Sequence, residues 1–313
     1  MYMKSLALAA AISTVAAQNT TSFCDKYTTA LFMNNTAENQ LKLLTAVVNT
    51  AVIGNYSESK TGKPVAGILA KGMYNGVEVD LLPYFNGGLL STNRGGSSGV
   101  SVNFLDDGGA APLMMNKPAE GTNSLQYMLL THLYEYFGSL LQCSQQGMSG
   151  YPAYAGDVSQ YEVHKFMNLD PNELGYFITQ VADSALSFGV SSDDLAPVGK
   201  ALNSLFGYRC SPKTTVIPAQ GAQFQSICSA KECPIAPNST CDGVPDGVEP
   251  AKASGSGTAT ATMSMSGSAT ASATGTGTGS GSTSSPTVVS GNGAGVLGMS
   301  ALAVAGGVVA LFL

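Results

Sequence analysis

His164 is one of only two histidines in the 313-residue chain. It stands immediately before two well-punctuated amphipathic stretches, in the run YEVHKFMNLDPNELGYFITQVADSALSFGVSSDDLAPVGKALNSLFGYRC. A neutral imidazole nitrogen is a good axial ligand, and a lone imidazole on a short helix facing a two-helix platform can hold a haem iron. The alternative for His164 is an ordinary surface or half-buried histidine on a helical scaffold without a cofactor. His132 lies about 100° per residue around a helix from Leu133 and falls at the margin of the apolar stripe, a place that suits a haem propionate or solvent. Other chemistries find less support. Asp106-Asp107 and Asp193-Asp194 are neighbours in sequence, explained by a loop turn and a helix N-terminus. The glycines of NRGGSSG do not lead from a strand into a helix, as a phosphate loop requires. The six cysteines lack the CxxC pair of a zinc site.

The elements that must position His164 are helical. Thr36 caps a predicted helix to about Gly54, striped by Leu41, Leu44, Val48 and Val52. Residues 55 to 122 lose periodicity and are rich in Gly, Asn and Ser, with β-like pieces GVEVDLL and GVSVNFL; they read as a long irregular insertion. From Ser124 helical order returns, with Leu130, Leu133, Phe137, Leu140 and Leu141 on one face up to Cys143. Asp157 is placed to cap a short helix through His164. DPNE, with Asp170 at the cap, Pro171 in the first turn and Glu173 three residues on, opens a long helix ending at Gly189. Ser191 or Ser192 starts the last helix, with Pro197 in its first turn and a stop at Gly207.

The two ends speak to compartment. Residues 1–17 read as a signal peptide, cut after Ala17. The apolar run Val296 to Leu313 ends the sequence with no basic residue after it and follows small residues, so 292–313 read as a lipid-anchor attachment signal, Asn292 or Gly293 carrying the anchor; a retained membrane span is the alternative. Residues 251–291, almost free of large apolar side chains, read as a disordered, O-glycosylated stalk. Sequons begin at Asn19, Asn34, Asn55 and Asn238. Six cysteines fit an oxidising compartment; four crowd into Cys210 to Cys241, so 207–250 read as a disulfide-stapled extension whose pairing stays open. A net charge of −6 argues against a nucleic-acid partner.

From Tyr154 to Leu205 the residue order resembles the C-terminal half of a truncated (group I, 2-on-2) haemoglobin: a tyrosine-glycine turn, a short helix ending Val163-His164, the loop into Asp170, a long helix, the Phe188-Gly189-Val190 corner and a final helix. LLTHLYEYFGSLLQC resembles that family's distal helix, and CDKY with the 37–54 helix its first two helices. The resemblance implies a mainly α, globin-like domain over 18–206. It implies a b-type haem with His164 on the iron and Leu129, His132, Leu133, Tyr136, Phe137 and Phe177 around it. LLPYFNG is similar to the family's aromatic pair over the haem, which implies that Tyr84 or Phe85 stacks there. Departures accompany the matches: the family's glycine pairs are missing, and Leu133 stands where glutamine often donates to bound oxygen. Asn49 or Tyr136 would then supply that donor.

Taken together these features imply a secreted, surface-anchored haem protein of fungal cell-surface layout, binding a diatomic ligand or peroxide and anchored to the membrane by lipid, with cell-wall polysaccharide as a further contact. If it is an enzyme, NO dioxygenation or peroxide chemistry is implied. The alternative is a haem-free structural or adhesion-type wall glycoprotein on the same scaffold.

Overall fold

The computed structural model describes residues 21–57, 59–239 and 241–254. The expected signal peptide, the anchor signal, the stalk beyond residue 254 and the Asn19 sequon lie outside the described residues. Within them the fold is mainly α, with eight α-helices and one two-stranded hairpin.

Local chemistry accounts for most boundaries. Helix α1 (Phe23–Phe32) starts where the Ser22 hydroxyl accepts from the Asp25 amide and stops at Met33, in the left-handed region with φ 66°. Helix α2 (Ala37–Ile53) is capped by Thr36 and closed by Gly54, as its sequence predicts. The hairpin β1 (Gly72–Tyr74) and β2 (Val77–Val79) turns on Asn75-Gly76, both at positive φ, the two-residue turn whose twist suits a hairpin. Short helices α3 (Leu82–Phe85) and α4 (Ala110–Met114) are the remaining regular pieces of the 55–122 segment. GVSVNFL forms no strand; it makes only isolated pairings, Val100 with Thr92 and Asn103 with Asn86. The segment is held instead by side-chain amides. Gln126 alone, fully buried, donates to the Gly109 and Pro118 carbonyls and accepts from the Gly109 and Asp107 amides.

Helix α5 (Leu125–Leu140) is capped by Ser124. Helix α6 (Gln160–His164) is capped by Ser159, not Asp157: the Ser159 hydroxyl accepts from Glu162, while Asp157 turns back to accept the Ser159 amide two residues on. Helix α7 (Pro171–Ser187) carries the full capping box of Asp170 and Glu173. Helix α8 (Ser192–Phe206) starts at Ser191, and Pro197 lies in its second turn rather than its first, so one helical hydrogen bond is missing there.

Helix α2 is the hub, packed against α1, α5 and α7; α7 also packs on α8 and the hairpin. The hairpin fits α7 through a reciprocal exchange. A Cβ on Gly175 would meet the Tyr74 ring at 2.3 Å, and one on Gly72 the Tyr176 ring at 2.4 Å, so each tyrosine lies over the other element's glycine. Three disulfides settle the pairing: Cys24–Cys143 joins α1 to the end of α5, and Cys210–Cys241 and Cys228–Cys233 staple the extension. The extension docks by backbone bonds from Ile227 and Cys228 to the Phe206 carbonyl and from Ser229 and Ala230 to the Leu169 carbonyl.

Helix α1 is also clamped to α8. Lys26 Nζ donates to Asp194 Oδ2 at 2.6 Å, and the Tyr27 and Ser191 hydroxyls donate to the same oxygen. These bonds, that of Lys26 foremost, hold the Asp194 carboxyl down at about 2, against about 3.9 in an unfolded chain. A depressed carboxyl contributes stability that is complete above the unfolded value and is lost as pH falls toward the folded one. Acid unfolding should therefore show a loss between those two values that Asp194→Asn does not share. Identical acid slopes for the two proteins would remove this role.

Candidate functional site

The site is built outward from α6. The His164 Nδ1 lies 2.7 Å from the Gln160 carbonyl oxygen, one helical turn back. A carbonyl only accepts, so Nδ1 carries the proton and Nε2 keeps its lone pair. Burial pushes the imidazole pKa down, opposed in part by that bond, so the ring is held neutral. His164 nonetheless retains partial solvent access.

Five residues are too few for a helix to stand alone, and α6 is fixed from two sides. The extension supplies one: the Ser159 hydroxyl and Tyr161 amide donate to the Phe224 carbonyl, and Gln225 Nε2 donates to the Val158 carbonyl at 3.0 Å. The 86–103 loop supplies the other through Asn93 Nδ2, which donates to the Glu162 carbonyl at 2.8 Å.

On α5, Leu129, Leu133 and Tyr136 recur at helical spacing on one face. Tyr136 is buried and its hydroxyl donates to Gln225 Oε1 at 2.9 Å; the Gln160 amide reaches the same oxygen at 3.4 Å. Tyr154 reinforces this bridge. Its ring lies edge-on to Tyr136 and to His132, with centroids 5.3 and 5.9 Å away, and its hydroxyl accepts from Gln160 Nε2. One end of the α5–α6 junction is thus closed by Gln225 and Tyr154. His132 is half-buried against Tyr154, and burial lowers its pKa.

Leu133, Phe137 and Phe177 line one apolar cavity of ≈ 490 Å³ among α1, α2, α5, α7 and α8; Leu129, His132, Tyr136 and His164 are not among its lining residues. The residues expected around His164 therefore do not form one pocket: Leu133, Phe137 and Phe177 line the cavity and the others lie outside it. Leu129 is partly buried against the core.

Two expected oxygen donors are corrected. Asn49 is fully buried with both ends of its amide occupied, Nδ2 donating to the Leu113 carbonyl at 3.2 Å and Oδ1 accepting from the Tyr134 hydroxyl at 2.6 Å. Tyr136 commits its proton to Gln225. A buried polar group left without a partner is costly, so each amide and hydroxyl is drawn to the partner its neighbours offer. Of the aromatic pair, Tyr84 donates its hydroxyl to Glu173 Oε1 at 2.9 Å, and Phe85 packs half-buried on the core.

Sequence reasoning missed Gln160, Tyr154 as a ring partner, and Gln225. Gln160 acts on His164 through a backbone carbonyl, which any residue type provides. Gln225 lies in the extension, 89 residues from Tyr136, and no local pattern links them. Gly95-Gly96-Ser97-Ser98-Gly99 has the spacing of a nucleophile elbow but lies in a loop with neither strand before nor helix after it. Among the described residues no group of three or more His, Cys, Asp or Glu side chains is arranged to hold a metal ion, a requirement that a single axial imidazole does not share. Comparison with known proteins finds no matching family model, no matching curated protein and no matching solved structure.

Proposed function

We propose that the chain is a secreted, surface-anchored haem protein on a globin-like scaffold, with His164 as the axial ligand of a b-type haem. The observation that carries the reading is the bond from His164 Nδ1 to the Gln160 carbonyl. It sets the tautomer, orients the ring and leaves Nε2 as the ligating nitrogen, the same support that metal-bound imidazoles draw from a backbone carbonyl elsewhere. Burial keeps that nitrogen unprotonated near neutral pH. A neutral imidazole with Nδ1 committed in this way is the kind of donor such a cofactor takes. Leu129 and Leu133 would give it an apolar wall and Phe137 and Phe177 would back that wall, while His132, on the polar margin, would meet a propionate. Bound haem supplies ligation or redox chemistry of O₂, NO or peroxide. With Asn49 and Tyr136 engaged elsewhere, neither would donate a hydrogen bond to an oxygen ligand.

Haem reconstitution of the purified protein should give a Soret band that His164→Ala abolishes, with the variant's far-ultraviolet circular dichroism unchanged. A haem-free wall glycoprotein is the second reading, favoured by the direct Tyr136–Gln225–Gln160 bridge between α5 and α6. It becomes the better account if wild type takes up no haem and His164→Ala is equally stable.

A further inference from the structure

The apolar cavity stands apart from His164 and carries an inference of its own. At ≈ 490 Å³ it falls within the roughly 300–1,000 Å³ of small-molecule sites, whereas voids in a packed interior seldom exceed a water molecule. Its deep wall is aliphatic, with Val48, Val52, Ile68 and Ala185 all buried. No charged side chain lines it, so a carboxylate or ammonium inside would be desolvated without a partner. Polar lining comes only from Thr21, Ser22, Tyr27 and Gln142. The Tyr27 hydroxyl is already bonded to Asp194, and the Ser22 hydroxyl caps α1. Thr21 and Gln142 are exposed, as is Pro197 of α8, and these three mark the mouth.

The mouth is braced. Cys24–Cys143 and the bond from the Cys24 amide to the Leu141 carbonyl fix α1 to the end of α5 on one side. Lys26, Tyr27 and Asp194 fix α1 to the start of α8 on the other. These contacts resist an inward slide of α1 that would fill the space. Water gains few hydrogen bonds from such apolar walls, so an apolar molecule that displaces it is favoured.

We infer that the cavity binds a neutral, hydroxyl-headed lipid, a long-chain alcohol or a sterol, with its apolar body inward and its hydroxyl at the mouth beside Thr21 and Gln142. This does not rest on the haem reading.

The test is Nile red fluorescence with the purified, disulfide-bonded protein, and displacement of the dye by hexadecanol, by a sterol and by palmitate in its ionised form. Saturable dye uptake is expected, with hexadecanol or the sterol displacing it at a concentration at least roughly tenfold below palmitate. Ala185→Phe fills the deep wall and Val198→Trp obstructs the mouth from α8; each should weaken dye binding about tenfold or more. If Ala185→Phe does not fold, Val198→Trp decides. His164→Ala should leave lipid binding unchanged. The inference is overturned by absence of saturable uptake, by palmitate competing as well as hexadecanol, by a folded Val198→Trp that binds like wild type, or by loss of binding in His164→Ala.

Discussion

Replacing Cys24 and Cys143 together by alanine should lower the stability of the domain by about 4–5 kcal/mol, because the bridge closes a long loop and its loss frees the unfolded chain. The bonded residues are 119 apart in sequence, and both are buried at the junction of α1 with α5. In a domain of this size the change corresponds to a fall in melting temperature of roughly 10–15 °C. Calorimetry of the double variant beside wild type measures it. The bond also bears on the cavity, since Phe23 and Leu141, next to the bridge or two residues from it, line the space. Dye binding by the double variant should therefore weaken even at temperatures where it remains folded. A melting temperature within a degree or two of wild type would show that the Lys26–Asp194 contact holds α1 unaided.

Gly67→Ala should be the most damaging single substitution among the glycines at positive φ. Gly67 has φ +85°, and a Cβ there would lie 2.3 Å from the Gly54 amide nitrogen and 2.7 Å from the Val52 carbonyl oxygen. Those neighbours are backbone and cannot rotate away. Overpacking and a left-handed alanine together cost roughly 3 kcal/mol or more. The segment after Gly67 also bonds back onto α2, Ile68 to the Ala51 carbonyl and Leu69 to that of Val52, so a shift to relieve the clash would break these bonds. Urea unfolding compares the variant with Gly62→Ala. Gly62 has a similar φ, +73°, but nothing within 4 Å of the added carbon, so the difference between the two isolates the contact from the conformational cost. Equal losses would place the whole effect in φ.

Much of the helical frame was legible because its signals are local. Asp170, Pro171 and Glu173 announce α7 within four residues, and Thr36 and Gly54 bracket α2. The sequence does not fix the start of α6, because Asp157 and Ser159 both carry capping oxygens and only the turn geometry chooses between them. Residues 55–122 resisted because their order comes from scattered amides such as Gln126 and Asn55, each holding backbone that no periodic pattern marks. The site was legible in its parts and not in its partition. Leu133, Phe137 and Phe177 read correctly as apolar helix positions, but a stripe does not reveal whether the facing stripes meet or leave space between them. Asn49 read as a pocket donor because its partners, Leu113 and Tyr134, are 64 and 85 residues away.

The shortness of α6 has a consequence for the order in which the molecule is finished. Its five residues are held by Phe224 and Gln225, which follow it by some sixty positions, and those two lie between the cysteines of the Cys210–Cys241 staple. A chain emerging from its N-terminus has all eight helices in hand before the segment that seats His164 exists. The extension's side of the α6 seat is therefore made only after every helix it packs among, and α6 is held on that side only once the extension has docked.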